Sequence, residues 1–224
     1  MADYDNNEEL ASLMRWWSKN GTAAIVGVLI GVLVIGGWYV WGWYGNRQDA
    51  QAADMYAKVQ HGIATDNVTS GVDNLVDKLE NSYSGTAYAG AAALAMAGYY
   101  VQQDKLDKAA AELDWAMNNA DGKGLRQIAT VRKARVLWAQ NKSDAALKLL
   151  DQAHPASFDS LYAEVAGDIH AARGDRAAAR AAYEKALAKL PPEASRPMLQ
   201  QKLDQTTPAQ AANAMTTDSE KSDS

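Results

Sequence analysis

The sequence predicts an all-α fold, in which a single N-terminal transmembrane helix is followed by an α-solenoid of stacked helix pairs. Between Lys19 and Arg47 there is no charged side chain, so one long apolar stretch lies near the N-terminus. Beyond this stretch the chain is rich in alanine and has few runs of β-branched residues, a composition that favours helices over strands. From residue 89 onward small residues recur at nearly regular intervals, which indicates repeated helix pairs.

Residues 1–20 are expected to form a cytoplasmic segment with one short amphipathic helix. Its apolar face consists of Leu10, Leu13, Met14 and Trp17. Because these residues follow i, i+3, i+4, i+7 spacing, they share one side of a helix and suit the surface of a membrane. The pair Asn20-Gly21 is typical of a bend, and we expect the chain to turn there into the membrane-spanning helix.

Residues 21–44 are predicted to be the transmembrane helix. Their apolar part, residues 23–43, extends about 31 Å at ~1.5 Å per residue, close to the thickness of a hydrocarbon core. Aromatic residues, which favour the headgroup level, stand at both ends: Trp16, Trp17, Trp38, Tyr39, Trp41, Trp43 and Tyr44. A cleaved signal peptide is the alternative, because residues 50–52 form an A-x-A site. The apolar run is, however, much longer than the ~7–15 residues of such a signal, so we expect an uncleaved anchor.

The charged flanks of the apolar stretch predict its orientation. Arg15 and Lys19 precede it closely, whereas Arg47 alone follows closely, and by the positive-inside rule this bias places the N-terminus in the cytoplasm. Within the stretch, Gly27 and Gly31 form a G-x-x-x-G pair, a candidate face for helix packing in the membrane. Glycine-rich spans also produce such pairs by chance.

Residues 45–204 are predicted to form one domain, which begins with a helix pair. The apolar positions of its first helix are Ala52, Tyr56, Val59 and Ile63, and those of its second helix are Val72, Leu75, Val76 and Leu79. Both sets have helical spacing. Ser70 is expected to be the N-cap of the second helix, with Asp73 three residues later.

A repeat follows this pair, and it is visible when residues 106–116, 143–153 and 176–186 are aligned without gaps. Small residues occupy three positions of each unit: Ala97, Ala109 and Ala116, then Ala134, Ala146 and Ala153, then Gly167, Ala179 and Ala186. A larger residue lies between the last two positions, and it is Leu113, Leu150 or Tyr183. A turn residue, Asp104, Asn141 or Gly174, separates the two helices of each unit.

The three aligned stretches begin 37 and 33 residues apart, and these two intervals bracket the ~34 residues of a tetratricopeptide repeat. The domain is therefore predicted to be a tetratricopeptide-like α-solenoid. The third unit matches the motif best, although Ala163 and Ala166 replace its early Trp and Leu. Residues 195–205 suit a capping helix, with Ser195 as its N-cap and with Met198, Leu199 and Leu203 turned onto the last repeat. Residues 205–224 are expected to be a disordered tail.

The order of these parts resembles the YfgM family of ancillary SecYEG translocon subunits. The resemblance covers about residues 8–204 and includes WWSKNG before the span, GGWYVW at its end and SGTAYAGAAALAMA at residues 84–97. It implies a single-pass protein of the cell inner membrane, with its N-terminus in the cytoplasm and its C-terminal domain in the periplasm. It also implies association with the SecYEG translocon and with the membrane-anchored periplasmic chaperone PpiD. The Ser/Asp-rich tail departs from the family pattern.

The sequence gives no support for catalysis. It lacks cysteine, and His61, His154 and His170 belong to no metal-binding or catalytic motif. His170 is instead expected to be a partly buried structural residue. The net charge of −5, without a basic run, argues against nucleic acid as a partner. We therefore expect no enzyme activity, no cofactor, no metal and no small-molecule substrate.

A binding module is the function class that stacked helix pairs favour, because their first helices line a concave face. Counted from the repeat register, the candidate partner groove consists of Leu94, Val101, Val131, Arg135, Trp138, Glu164 and Asp168. Trp138 would be an aromatic anchor for an extended segment, with Arg135 beside it to hold a carboxylate. The alternative is that Trp138 fills space between helices.

Three functions are consistent with the sequence. The first is a membrane-anchored interaction adaptor of the SecYEG translocon that links translocation to periplasmic chaperones. The second is a periplasmic holdase that binds unfolded clients directly, although that function calls for a larger exposed apolar groove. The third is a tethered regulator on the cytoplasmic side, which requires the opposite orientation.

Overall fold

A computed structural model describes residues 3–191 and 197–206 of the chain. All regular structure in these two ranges is helical, which confirms the predicted all-α class. The helices are α1 (Asp3–Ala64), α2 (Ser70–Ser82), α3 (Ala87–Gln102), α4 (Leu106–Asn119), α5 (Lys123–Ala139), α6 (Ser143–Leu150), α7 (Asp159–Ala172), α8 (Arg176–Lys189) and α9 (Pro197–Gln205). A 3₁₀ turn, Ala156–Phe158, precedes α7.

The chain divides into two compact units, residues 1–51 and residues 52–224. The first unit exposes large apolar side chains along its described length, among them Leu33 at 74% and Trp38 at 79%. In the described part of the second unit only Val101 and Met198 are large apolar residues of comparable exposure. The exposed apolar side chains of the first unit favour an apolar environment, whereas the second unit buries its apolar residues in its own core.

Within the described residues, no single helix is by itself long and apolar enough to cross a membrane. Two consecutive stretches of α1, Leu13–Ala23 and Ile25–Tyr39, satisfy length and hydropathy together and are bent by 51°. This bend lies between Ala23 and Ile25 and not at Asn20-Gly21, where it was predicted, because both of those residues are helical. The Asn20 amide donates to the carbonyl oxygen of Trp16 at 3.2 Å, one turn earlier, and so satisfies that carbonyl within the helix.

The core of the second unit is arranged in series. A first cluster joins the end of α1 to α2, α3, α4 and part of α5. A second cluster lies among α5, α6 and α7, and a third among α7, α8 and α9. Each helix therefore buries its apolar face against its neighbours in the chain, which is the arrangement of a solenoid and confirms the predicted repeat architecture.

The turns inside the three repeats are equivalent. Asp104, Asn141 and Gly174 have φ of 56°, 61° and 77°, and each follows the first helix of its pair. In each turn the next amide donates back to the carbonyl five residues earlier, as from Lys105 to Tyr100 at 2.8 Å. This is the hydrogen bond of a helix end with one left-handed residue, so the sequence placed all three turns correctly.

The recurring small residues are buried in eight of nine positions, and Ala153 is the exception. It is exposed because α6 already ends at Leu150, whereas the equivalent helices α4 and α8 are each 14 residues long and include the equivalent alanine. Pro155 disfavours helical geometry at His154, the residue before it, and so limits how far α6 could extend. Proline follows α8 later in its register, at Pro191, and there the equivalent Ala186 is buried.

One predicted helix boundary and one predicted packing residue need correction, and a second predicted boundary lies outside the described residues. The N-cap of α2 is Thr69 rather than Ser70, which is already the first helical residue. On α9, Leu199 and Leu203 pack against the last repeat as predicted, but Met198 is 70% exposed because it lies on the opposite side. Ser195 and residues 207–224 lie outside the described ranges.

Gly167 marks the closest packing of the third repeat. A Cβ atom at this position would lie 2.5 Å from Cε1 and 2.6 Å from Cδ1 of Tyr183. The Tyr183 side chain is buried, and its hydroxyl donates to Asp168 at 3.0 Å, so the ring is held in place. The first small residue of the motif therefore admits the α8 aromatic ring against α7.

Candidate functional site

Val101 and Arg135, two residues of the predicted groove, lie in one cleft between α3 and α5. We call it the α3–α5 cleft, and its volume is about 400 Å³. It is lined by Ala97, Gly98, Val101, Gln102, Leu106, Leu113, Arg132, Arg135, Val136 and Ala139. Small residues on α3, Ala97 and Gly98, leave space in the cleft. At Gly98 no neighbouring atom lies within 4 Å of the position that a Cβ atom would take.

The α3–α5 cleft has apolar walls and two cationic side chains. No acidic residue is among its lining residues. Arg132 donates from Nη1 to the carbonyl oxygen of Leu94 at 3.2 Å, which fixes its guanidinium beside the cleft. Arg135 is exposed, and the described residues offer its guanidinium neither a hydrogen bond nor an ion pair. Val101, 44% exposed, adds an apolar patch at the mouth.

Leu94 and Val131 are not available to a partner. They are 6% and 1% exposed and belong to the first and second core clusters. The repeat register places them on the first helices of their pairs, but the helix-packing face extends further round those helices than the register indicates. Their side chains therefore contribute to stability rather than to a surface.

Glu164 and Asp168 lie together on α7, where both bind a lysine of α9. Lys202 of α9 donates to Glu164 at 2.7 Å and to Asp168 at 3.0 Å, and Tyr183 donates to Asp168 as well. Burial acts to lower the pKa of Lys202, but its hydrogen bonds to Asp168 and Glu164 outweigh this effect and raise the pKa above its usual value. The sequence missed this contact, since 38 and 34 residues separate the partners.

Trp138 does not line the α3–α5 cleft. It is half-buried and packs against the second core cluster, among α5, α6 and α7. This placement agrees with the alternative that a tryptophan in an alanine-rich solenoid fills space between helices. Its distance from Arg135 along α5 is only three residues, yet the two side chains face different surroundings.

A second cleft, of about 490 Å³, lies beside α6, α7 and α8 and is lined in part by His154 and His170. His154 stacks on Tyr162 with 3.8 Å between ring centroids. Its Nδ1 lies 2.8 Å from the carbonyl oxygen of Gln152, which orients the ring. His170 is half-buried, as the sequence predicts, with Nδ1 4.0 Å from Asp175. His61 is exposed.

Glu80 on α2 and Glu112 on α4 form an acidic cluster that the sequence did not predict. Burial, followed by the neighbouring Glu80, raises the pKa of Glu112 to about 8, and burial also raises the pKa of Glu80. Each of the two carboxyl groups has one oxygen that is buried without a hydrogen-bond partner among the described residues. The two residues are 32 positions apart in the sequence, so no local pattern indicates that they meet. The described residues contain no group of His, Asp and Glu suited to a metal ion.

Gly27 and Gly31 lie on α1 in the first unit. A Cβ atom at either position would meet no atom of the described chain within 4 Å. Close approach of another helix on this face is thus sterically open, and it stays a prediction.

The chain matches the tetratricopeptide repeat-like domain family over residues 14–207. It is also similar to curated proteins that carry the name ancillary SecYEG translocon subunit. The relative from Neisseria gonorrhoeae is 30% identical over 207 residues, which cover 91% of this chain and 98% of the relative. Relatives from Escherichia coli and Haemophilus influenzae are each 29% identical, over 82% and 81% of this chain and 88% of their own lengths. No solved structure matches the chain.

Proposed function

Since this chain belongs to the family of ancillary SecYEG translocon subunits, with its tetratricopeptide repeat-like domain, we propose that it is a membrane-anchored adaptor of the SecYEG translocon. The apolar part of α1 crosses the inner membrane once. Residues 1–20 lie in the cytoplasm, and the repeat domain lies in the periplasm. There the domain holds a periplasmic chaperone, PpiD in the first place, near the exit of the channel. The adaptor has no catalytic role.

The observation that carries this proposal is the separation of two kinds of surface between the two units. The exposed apolar residues of the first unit, such as Leu33 and Trp38, suit lipid and the apolar faces of other membrane helices. The second unit buries its apolar residues and offers open clefts instead. One part of the chain thus supports anchoring and the other supports recognition of a protein partner.

The described clefts favour the adaptor over the holdase. A holdase needs a broad apolar surface for clients of many sequences, whereas the described second unit exposes only two large apolar residues, Val101 and Met198. They lie on α3 and α9, at separate places in the fold. A small mixed cleft suits a defined partner segment better.

Protease treatment of spheroplasts tests the orientation. With the inner membrane intact, added protease should degrade the repeat domain and leave a short N-terminal fragment. Full protection of the domain would place it in the cytoplasm and contradict the proposal. Association is tested in the same preparations: after mild solubilisation, SecYEG and PpiD should co-purify with the full-length chain, and absence of SecYEG would refute the adaptor role.

A further inference from the structure

The α3–α5 cleft has a charge that differs from that of the whole chain. The net charge of the protein is −5, yet the lining of this cleft contains two arginines and no carboxylate. Asp107, which follows the lining residue Leu106 in the sequence, accepts a hydrogen bond from the Gln140 side chain at 2.9 Å. Among the described residues no carboxylate forms an ion pair with Arg132 or Arg135, so the positive charge of the cleft is available to an external anion.

The two arginines are placed to act on one ligand. Arg132 and Arg135 are three residues apart on α5, so they are neighbours on one helix face with ~5–6 Å between their Cβ atoms. A guanidinium presents planar pairs of N–H donors that match the two oxygens of a carboxylate. Arg132 is oriented by its hydrogen bond to Leu94, while Arg135 is free to turn towards a ligand.

The apolar walls of the cleft favour a ligand that carries an apolar group as well as an anionic one. Val101, Leu106, Leu113 and Val136 line the cleft, and Val101 is 44% exposed at its mouth. Leu113 and Val136 are already buried, at 1% and 4% exposure, so the apolar surface left open in the cleft is that of Val101 and the partly buried Leu106. An inorganic anion would leave this surface in water, whereas an apolar side chain would cover it. The volume of about 400 Å³ is within the ~300–1,000 Å³ that is usual for a ligand-binding cleft.

We propose that the α3–α5 cleft binds an extended peptide segment that inserts an apolar side chain between α3 and α5 and places an adjacent carboxylate on Arg132 and Arg135. This inference rests on the proposed adaptor function and defines the chemistry of the partner: an apolar residue next to Asp, Glu or a terminal carboxylate. The apolar contact supplies affinity, and the guanidinium pair selects for the acidic group.

The test uses the full-length chain in detergent micelles and two fluorescein-labelled peptides, SGLEVEGS and its neutral isostere SGLQVQGS. Fluorescence anisotropy should show the acidic peptide binding about tenfold more tightly, with an affinity that falls as salt is added. Arg135→Gln and Arg132→Gln should each weaken binding of the acidic peptide roughly five- to tenfold and leave the neutral peptide nearly unchanged.

Arg176→Gln is the matched control, because Arg176 is an exposed arginine on α8 outside the cleft, and it should not change binding. Equal affinity for the two peptides, or unchanged affinity in Arg135→Gln, would overturn the proposal. So would self-association of the chain through the cleft without peptide binding. Co-purification of SecYEG is measured on the same variants: if it persists while peptide binding fails, the peptide site is refuted and the adaptor function stands.

Discussion

Replacing Gly167 by alanine tests the packing of the third repeat most sharply. The new Cβ atom would lie 2.5 Å from Tyr183 Cε1 and 3.1 Å from Cζ, well inside van der Waals contact. Relief requires a shift of roughly 1 Å by a buried ring or by one of the two helices. The hydrogen bond from its hydroxyl to Asp168 at 3.0 Å holds the outer end of the ring, so the ring cannot move away from α7 without breaking it.

The expected loss of stability follows from opposing terms. Alanine in place of glycine within a helix gains up to ~1 kcal/mol. Overpacking of a filled core costs ~1–3 kcal/mol, and disruption of the Tyr183–Asp168 hydrogen bond costs about 1 kcal/mol more. The free energy of unfolding of Gly167→Ala should therefore fall by about 2 kcal/mol, which corresponds to a Tm lower by about 4–8 °C in a chain of this size.

Gly98→Ala is the matched control for this change. Gly98 is also inside a helix, but a Cβ atom there meets nothing within 4 Å. Thermal unfolding of the detergent-solubilised chain, followed by far-UV circular dichroism, should show Gly98→Ala unchanged or stabilised by up to ~1 kcal/mol. In a Tyr183→Leu background the penalty of Gly167→Ala should largely disappear, since the ring it strikes is gone. Stabilisation by Gly167→Ala in the native background would refute the packing described here.

Three further changes test separate parts of the domain. Glu112 binds its proton more tightly in the folded state, with a pKa of about 8 against 4.5 when unperturbed. Its protonation therefore stabilises the fold fully below about pH 4.5, and this contribution is lost as pH rises through about 8. Glu112→Gln, measured by urea unfolding from pH 5 to 9, should flatten that loss, and an unchanged pH profile would contradict a raised pKa of Glu112 beside Glu80. Ala179→Leu should lower the free energy of unfolding by ~1–3 kcal/mol, whereas Ala188→Leu, at an exposed site on the same helix, should change it little; equal effects would contradict the repeat register. Lys202→Gln should increase hydrogen exchange in α9 without lowering protection in α3, and unaltered exchange in α9 would show that its contact with α7 does not depend on this lysine.

The repeat architecture was predictable because its signals are local. The small residues Ala109 and Ala179 mark places where two helices approach closely, and such positions tolerate few side chains. The turn residues Asp104 and Gly174 adopt positive φ, which restricts their identity to a short list. Spacing and residue type together therefore located the helix pairs without knowledge of any distant contact.

The candidate site was predictable only in part, because its details depend on contacts between distant parts of the chain. Two residues of the predicted groove, Val101 and Arg135, line the α3–α5 cleft, and their role in binding stays a prediction. The register did not include Arg132, one turn earlier on α5. The register also could not show that Lys202, 34 residues from Asp168 in the sequence, binds this acidic residue of the predicted groove.

Helix ends were predicted least well, because they depend on the competition between one proline or cap and the local packing. The helix α6 ends at Leu150 and leaves Ala153 outside it, before Pro155, which disfavours helical geometry at His154. The N-cap of α2 shifts by one residue to Thr69, where the backbone is extended. Both errors are only a few residues long.

The central claim, that the repeat domain acts as an adaptor for a defined partner beside the translocon, is tested most directly by photocrosslinking in living cells. A photoreactive phenylalanine analogue is placed at Val101 in the α3–α5 cleft, at Leu33 in the apolar part of α1 and, as a control, at the exposed Ala188. We predict a discrete adduct with a periplasmic chaperone from residue 101, an adduct with SecYEG from residue 33, and neither from residue 188. A continuous smear of client proteins from residue 101, or adducts with cytoplasmic proteins alone, would contradict the adaptor function.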